Sequence, residues 1–151
     1  MFVKGSVIMG DNFLEITLES KDDKVKFVAG ARSNPELVID YFPPFGTADG
    51  YTSLELLLCS FASCVSYTSA IILRNQMKRT VTSINAKAKG LVKEDHPKAL
   101  SMIELELFID SPDTRDTDVE KTLAALESKL CPVWSMIKGN VEIEVKSAIS
   151  R

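Results

Sequence analysis

Two cysteines in contrasting settings carry the chemistry available to this chain. Cys64 lies inside a nearly uncharged helical run, Leu56–Leu73, whereas Cys131 opens the segment Cys131-Pro132-Val133-Trp134. A thiol at the start of a helix, with proline in the first turn, faces unpaired backbone N–H groups and the positive dipole end, and both favour the thiolate. A cysteine in the middle of an apolar helix gains nothing from the dipole, and burial raises its pKa. Cys64 therefore reads either as inert packing or as the buried half of a redox pair with a low-pKa Cys131. Cys59 stands five residues before Cys64. At 3.6 residues per turn the two point about 140° apart, so they do not converge, and Cys59 reads as a small core residue.

His96, the single histidine, sits in the charged loop Glu94-Asp95-His96-Pro97-Lys98. One histidine supports neither a histidine-based metal centre nor a Cys-His nucleophile pair. The spacing of Cys59, Cys64, Cys131 and His96 matches no common zinc pattern, and no cofactor is expected.

The elements that must position the two thiols follow from periodicity. Leu14, Ile16 and Leu18 alternate with polar residues, as do Val25 and Phe27, with turns expected at Gly10-Asp11-Asn12 and Ser20–Asp23. The loop Tyr41–Gly50, rich in proline, glycine and aromatics, breaks any regular element and could line a pocket. Thr52-Ser53-Leu54-Glu55 reads as a capping box that starts a helix running to about Met77, and Arg74, Lys78 and Arg79 suit its negative dipole end. A hairpin follows, with Ile84, Ala86 and Ala88 on one strand and Ile103, Leu105, Leu107 and Ile109 on the other. Thr117 and Glu120 suggest a second capping box, and Val119, Leu123, Leu126 and Leu130 mark the apolar face of the helix it starts. A short helix from Cys131 to Lys138, stopped by Gly139-Asn140, and a last strand with Val141, Ile143 and Val145 complete an α+β plan with helices segregated from antiparallel sheet.

With 151 residues, 45% hydrophobic and 26% charged, the chain reads as one domain able to bury a real core. A net charge of −3 and the lack of a basic block interleaved with aromatics argue against a nucleic-acid partner. The start Met1-Phe2-Val3-Lys4-Gly5 lacks a signal-peptide pattern, so the expected location is cytoplasmic, where three cysteines argue against a structural disulfide framework. The uncharged run Leu56–Leu73 touches the length of a membrane span. Ser60, Ser63, Ser66, Ser69 and Thr68 dilute it, so a buried helix rather than a membrane segment is expected. Burying so much helix in so short a chain suggests a second subunit.

The stretch Glu55-Leu56-Leu57-Leu58-Cys59-Ser60-Phe61-Ala62-Ser63-Cys64 resembles the cysteine helix of the OsmC/Ohr family, the osmotically inducible and organic hydroperoxide resistance proteins. Cys131-Pro132-Val133 followed by Lys138-Gly139-Asn140-Val141-Glu142-Ile143 resembles that family's second cysteine region and closing strand, and the similarity runs from about Gly46 to Val145 in order. The resemblance implies an OsmC-like fold, antiparallel sheets around a long buried central helix, in an intertwined homodimer with sites at the subunit interface. It also implies a thiol-dependent peroxidase in which Cys64 attacks an organic hydroperoxide, Cys131 resolves the sulfenic acid as a Cys64–Cys131 disulfide, and an external thiol reductant resets the pair.

The chain departs from the hydroperoxide resistance branch. That branch uses an arginine from the N-terminal strands and a glutamate ten residues before the first cysteine; here Leu54 holds the latter position, and no arginine precedes Arg32. Glu55 stands in as a candidate catalytic carboxylate, although nine residues on a straight helix place it about 180° round and about 13 Å along from Cys64, which suits a capping role better. The nearest same-face neighbours, Ser60, Phe61, Tyr67 and Thr68, offer hydroxyls but no cation, so activating Cys64 requires a positive group from Arg32, Arg74 or a lysine, in the same chain or across the dimer. Phe42, Phe45, Phe61 and Trp134 read as an apolar mouth suited to organic rather than hydrogen peroxide, or as plain core. Two other readings compete: a non-catalytic dimer binding a small apolar or electrophilic ligand, and a thiol redox sensor.

Overall fold

The computed structural model describes residues 13–151, so the turn expected at Gly10–Asn12 lies outside the described residues. The chain divides into two compact units, Met1–Glu55 and Leu56–Arg151.

In the first unit three strands form an antiparallel sheet, β1 (Thr17–Ser20), β2 (Phe27–Gly30) and β3 (Leu37–Ile39), in that spatial order; β1 and β2 overlap the ends of the two alternating segments, and β3 lies outside them. The Ser20–Asp23 turn forms as expected, because the Asp22 carboxylate accepts the N–H groups of Lys24 and Lys26. The loop after β3 is built around Asp40. This buried carboxylate accepts hydrogen bonds from the backbone N–H groups of Tyr41, Thr47 and Asp49 and from the Thr47 hydroxyl. Those four donors hold its pKa well below the usual carboxylate range. Gly46 is required there, since a Cβ would run into the Tyr41 carbonyl and the Asp40 carboxylate. Tyr41, Phe42 and Phe45 project from this loop and are exposed.

The capping box forms as read. The Thr52 N–H donates to Glu55 Oε2 at 2.7 Å, and the Glu55 N–H donates back to Thr52 Oγ1 at 3.3 Å. It opens α1 (Ser53–Ile71), which continues through a π-helical turn, Ile72–Gln76. Phe61, Cys64, Val65, Ser69, Ile72 and Leu73 form its buried face at helical spacing, while Tyr67, Ile71 and Cys59 are exposed. In the single chain, then, this helix is buried on one side. Cys59 is not the core residue expected, because its position falls outside the arc occupied by Phe61, Cys64 and Val65. By length and composition alone, Ser53–Gln76 is long and apolar enough to cross a membrane. Core helices meet the same criterion, and its Leu73 packs with Val81, Ile109 and Val119 in the core of the second unit.

The second unit is ordered β4 (Ser83–Val92), β5 (Leu100–Asp110), β6 (Glu142–Ser150), with β5 central. Ile103, Leu105, Leu107 and Ile109 alternate along β5 onto the buried face, each at most 1% exposed. Gly90 on β4 lets the helix come close, since a Cβ there would lie 2.7 Å from Leu100 Cδ2 and 3.3 Å from Leu58 Cδ2. β4 and β5 form the expected hairpin, but β6 pairs with β5 in parallel, which corrects the wholly antiparallel expectation. The physical reason is the connection, since a long crossover through helices can return the chain in the same direction.

That crossover holds α2 (Asp116–Ala125), a π-helical turn (Leu126–Leu130) and α3 (Pro132–Ile137). The capping box of α2 is not Thr117/Glu120 but starts at Arg115, whose N–H donates to Asp118 Oδ2 at 3.0 Å. Asp118 is fixed for that role by Arg79, 2.8 Å away, and its pKa is held down to about 2 by the Arg79 hydrogen bond. Val119 and Leu126 are buried, but Leu130 is 42% exposed. The wider π turn breaks the 3.6-residue register that had placed Leu130 on the apolar face. Gly139, with φ 87°, follows α3 and ends it as expected.

Candidate functional site

The site lies within the second unit, where α1 meets the start of α3. The π turn after α2 closes with the Cys131 N–H donating to the Leu126 carbonyl at 3.1 Å, which leaves Cys131 as the N-cap of α3 with Pro132 next. The Cys131 sulfur accepts the Trp134 N–H at 3.4 Å. Across the junction Cys131 Sγ lies 2.8 Å from Cys64 Sγ, its thiol donating to the Cys64 sulfur. Both cysteines are free thiols and both are buried.

A second contact fixes this meeting. Phe61 and Trp134 meet edge to face, with centroids 5.4 Å apart and planes at 85°. Phe61 precedes Cys64 by three residues, and Trp134 follows Cys131 by three, so one turn on each helix sets both contacts. Of the four aromatics read as an apolar mouth, Phe61 and Trp134 are buried beside the thiols, whereas Phe42 and Phe45 are exposed on the loop of the first unit.

The two thiols divide their roles in the opposite sense to the one expected from the helix start. Burial pushes Cys131 up to about 11, and its hydrogen bond to Cys64 holds the proton in place. The N–H groups of Trp134 and Val133 oppose this without prevailing. Cys64 is lowered. Burial raises it, but the donors outweigh that cost: the Cys131 thiol first, then the Tyr67 hydroxyl, the Val133 N–H and the Thr68 hydroxyl. The amides at the start of α3 thus help Cys64 as well as the residue that caps the helix. Helical periodicity could expose Tyr67 and Thr68 as neighbours of Cys64, but no local pattern could reveal the Val133 N–H, which arrives from the far end of the second unit.

Of the cations considered for Cys64, Arg74 is engaged elsewhere. Arg74 donates through Nε and Nη2 to the Val81 carbonyl, at 3.0 and 2.8 Å, and fixes the chain after the helix. Arg32 is an exposed residue of the first unit with φ 55°. Glu55 is engaged in the capping box, where its Oε2 also accepts the Thr52 hydroxyl at 3.0 Å. His96 is exposed, and among the described residues no cluster of three histidine, cysteine or acidic side chains could hold a metal ion.

A buried thiol pair with one lowered and one raised pKa can trap an oxidised sulfur as a disulfide. Comparison with known proteins agrees with the frame that holds it. A hypothetical protein from Aquifex aeolicus superposes with a TM-score of 0.79 at 23% identity, over 93% of this chain and 98% of that one. An OsmC-like protein from Mycoplasma pneumoniae gives 0.78 at 21% identity, over 93% and 99%. The organic hydroperoxide resistance protein of Bacillus subtilis gives 0.60 at 14%, over 90% and 98%. At these identities the likeness is one of fold. No curated protein matches the sequence. The sequence model described as OsmC-like protein matches residues 46–146, a span that contains α1, α3 and both site cysteines, and the chain therefore belongs to the OsmC-like family.

Proposed function

We propose that the chain is a thiol-dependent peroxidase of organic hydroperoxides, with Cys64 as the attacking thiolate and Cys131 as the resolving thiol. The observation that carries this is the 2.8 Å approach of the two sulfurs, with Cys64 lowered and Cys131 raised. The Cys64 thiolate attacks the terminal oxygen of ROOH; the S–O bond forms, the O–O bond breaks, and the departing alkoxide takes a proton to become ROH. Sulfur is oxidised to sulfenic acid and the peroxide is reduced. Cys131 then attacks that sulfur, water leaves with the thiol proton, and a disulfide remains. Two equivalents of an external thiol, or one dithiol, reduce it and are themselves oxidised. Such a cycle suits the cytoplasm, where a thiol pool is kept reduced.

Phe61 and Trp134 beside the sulfurs support an organic rather than a hydrogen peroxide substrate. A homodimer is part of the proposal. Leu18 is 49% exposed in the first unit and Ile71 49% exposed on α1, and a second copy is the partner proposed to cover such surfaces. Glu55 has no step in this cycle beyond holding the start of α1.

One equivalent of cumene hydroperoxide added to the reduced protein should consume two thiols and join Cys64 to Cys131 in the peptide map. Cys64→Ser should lower turnover by at least about a thousandfold, leaving only background. Cys131→Ser should permit one oxidation and then stall or over-oxidise. Thiols left intact by the peroxide would reject the proposal and favour a binding protein.

A further inference from the structure

Tyr67 follows Cys64 by three residues on α1, and its hydroxyl donates to Cys64 Sγ at 3.6 Å. Cys64 is 2% exposed and Tyr67 54%, so the tyrosine links the buried cysteine to solvent. The other donor is the Cys131 thiol, 2.8 Å from Cys64 Sγ, and the Val133 amide and Thr68 hydroxyl add to lowering the Cys64 pKa. Cys131 and Tyr67 are the titratable groups among them, and every one of these donors is uncharged. From this geometry we infer that Tyr67 is a catalytic residue which stabilises the Cys64 thiolate by hydrogen bonding and so sets the pH at which the site becomes nucleophilic. The inference deepens the peroxidase reading and rests on it for its biological meaning, although the thiolate itself can be tested without any peroxide.

The physical argument has two sides. A hydroxyl donating to sulfur favours the charged form over the neutral one, because a thiolate is the better acceptor. The reciprocal effect is present, since the Tyr67 phenol is raised first by its hydrogen bond to Cys64 and then by the thiolate charge. A thiolate stabilised in this way is also a weaker nucleophile, with a Brønsted slope of about 0.4–0.5. Tyr67 therefore increases the number of reactive thiolates at neutral pH while lowering the reactivity of each. An exposed phenol can do this without the cost of burying a cation beside the sulfur, and its ring contributes little to the core.

Tyr67→Phe keeps the ring and removes the donor. The readout is the rate of Cys64 alkylation by iodoacetamide against pH, followed by peptide mass so that Cys59 and Cys131 do not contribute. The midpoint should rise by about one pH unit. The rate at pH 7 should then fall about three- to fourfold, while the plateau at high pH should rise about threefold, because each thiolate is more nucleophilic. The two pH profiles must cross. A merely structural role would scale the whole profile or leave it in place, and either result would overturn the inference. The partner measurement keeps the native tyrosine. In Cys64→Ala the Tyr67 phenol, followed by NMR of ring-labelled tyrosine, should titrate at lower pH than in the unsubstituted protein, and an unchanged titration would equally overturn it. Crossed profiles in a protein whose thiols ignore hydroperoxide would keep the role of Tyr67 and reject the peroxidase.

Discussion

The first unit is held by polar groups around one carboxylate, and the second by apolar side chains around one strand. No residue of β1, β2 or β3 is buried, whereas β5 buries Leu100, Ile103, Leu105, Leu107 and Ile109. In the first unit the loop is fastened to Asp40 by four hydrogen bonds, whose direction matters, while the sheet contributes little hydrophobic burial. The cysteine site sits in the unit that has a core. A thiol pair needs rigid positioning and exclusion of water to keep two sulfurs in contact, and close-packed apolar side chains supply both.

The largest effect should come from disturbing the core of the second unit. Leu105→Ala removes a side chain that is 1% exposed at the centre of β5 and should cost about 3–4 kcal/mol in denaturant unfolding. The matching change in the first unit, Leu18→Ala at a position 49% exposed, separates two cases. Met only by solvent, Leu18 should contribute less than about 0.5 kcal/mol. Covered by a second copy, as the proposed homodimer requires, it should contribute about 1–2 kcal/mol and make the unfolding midpoint depend on protein concentration. The second result is expected, and a small, concentration-independent change would show that the two units differ as deeply as the isolated chain suggests.

The difference between the units also explains what the sequence could disclose. Alternation along Ile103–Ile109 marked β5 because burial and period coincide there, and the Thr52/Glu55 box and Gly139 stop were visible because capping is a local event. The parallel partner of β5 was not legible, since nothing within Glu142–Ser150 encodes which strand it meets. Leu130 escaped because a π turn shifts the register without a sequence mark. Of the site, Cys64 and Cys131 were readable as candidate thiols, and Tyr67 as a neighbour. The division of charge between the two cysteines was not readable, because it depends on burial and on amides brought together by tertiary contact. The Asp40 loop showed as a break in regular structure, but not as a carboxylate with four donors.

Acid should sharpen the contrast next. Asp40 has its folded pKa lowered by the Thr47 hydroxyl first and by the Asp49, Tyr41 and Thr47 amides. The sign follows from linkage: a depressed carboxylate contributes stability above its unfolded pKa, near 3.9, and loses it as pH falls through the native value. Asp40→Asn removes that contribution at neutral pH: the Thr47 and Asp49 donors that share Oδ2 keep only a neutral carbonyl, and the Tyr41 N–H, which donates to Oδ1, loses its acceptor to an NH2 group. Limited proteolysis at pH 7 should then cut the Tyr41–Gly50 loop several-fold faster, while cleavage within β4–β6 stays unchanged. Equal acceleration in both units would mean that the loop carries structure for the whole chain.

The smallest expected effect concerns α1, which starts at Ser53 in the first unit and runs on into the second. Thr52→Ala removes the acceptor for the Glu55 N–H and should cost about 1 kcal/mol. Glu55→Gln keeps an oxygen that can accept from the Thr52 N–H, as capping boxes allow, so it should change stability by less than about 0.5 kcal/mol. The same pair of variants decides what Glu55 does. A carboxylate whose function is to hold the helix start should leave the Cys64 alkylation profile and the peroxide rate constant near their original values in Glu55→Gln. A rate constant lowered tenfold or more at unchanged stability would assign Glu55 to the chemistry, and the carboxylate would then have to act across subunits, since about 180° of helix separates it from the thiol in its own chain.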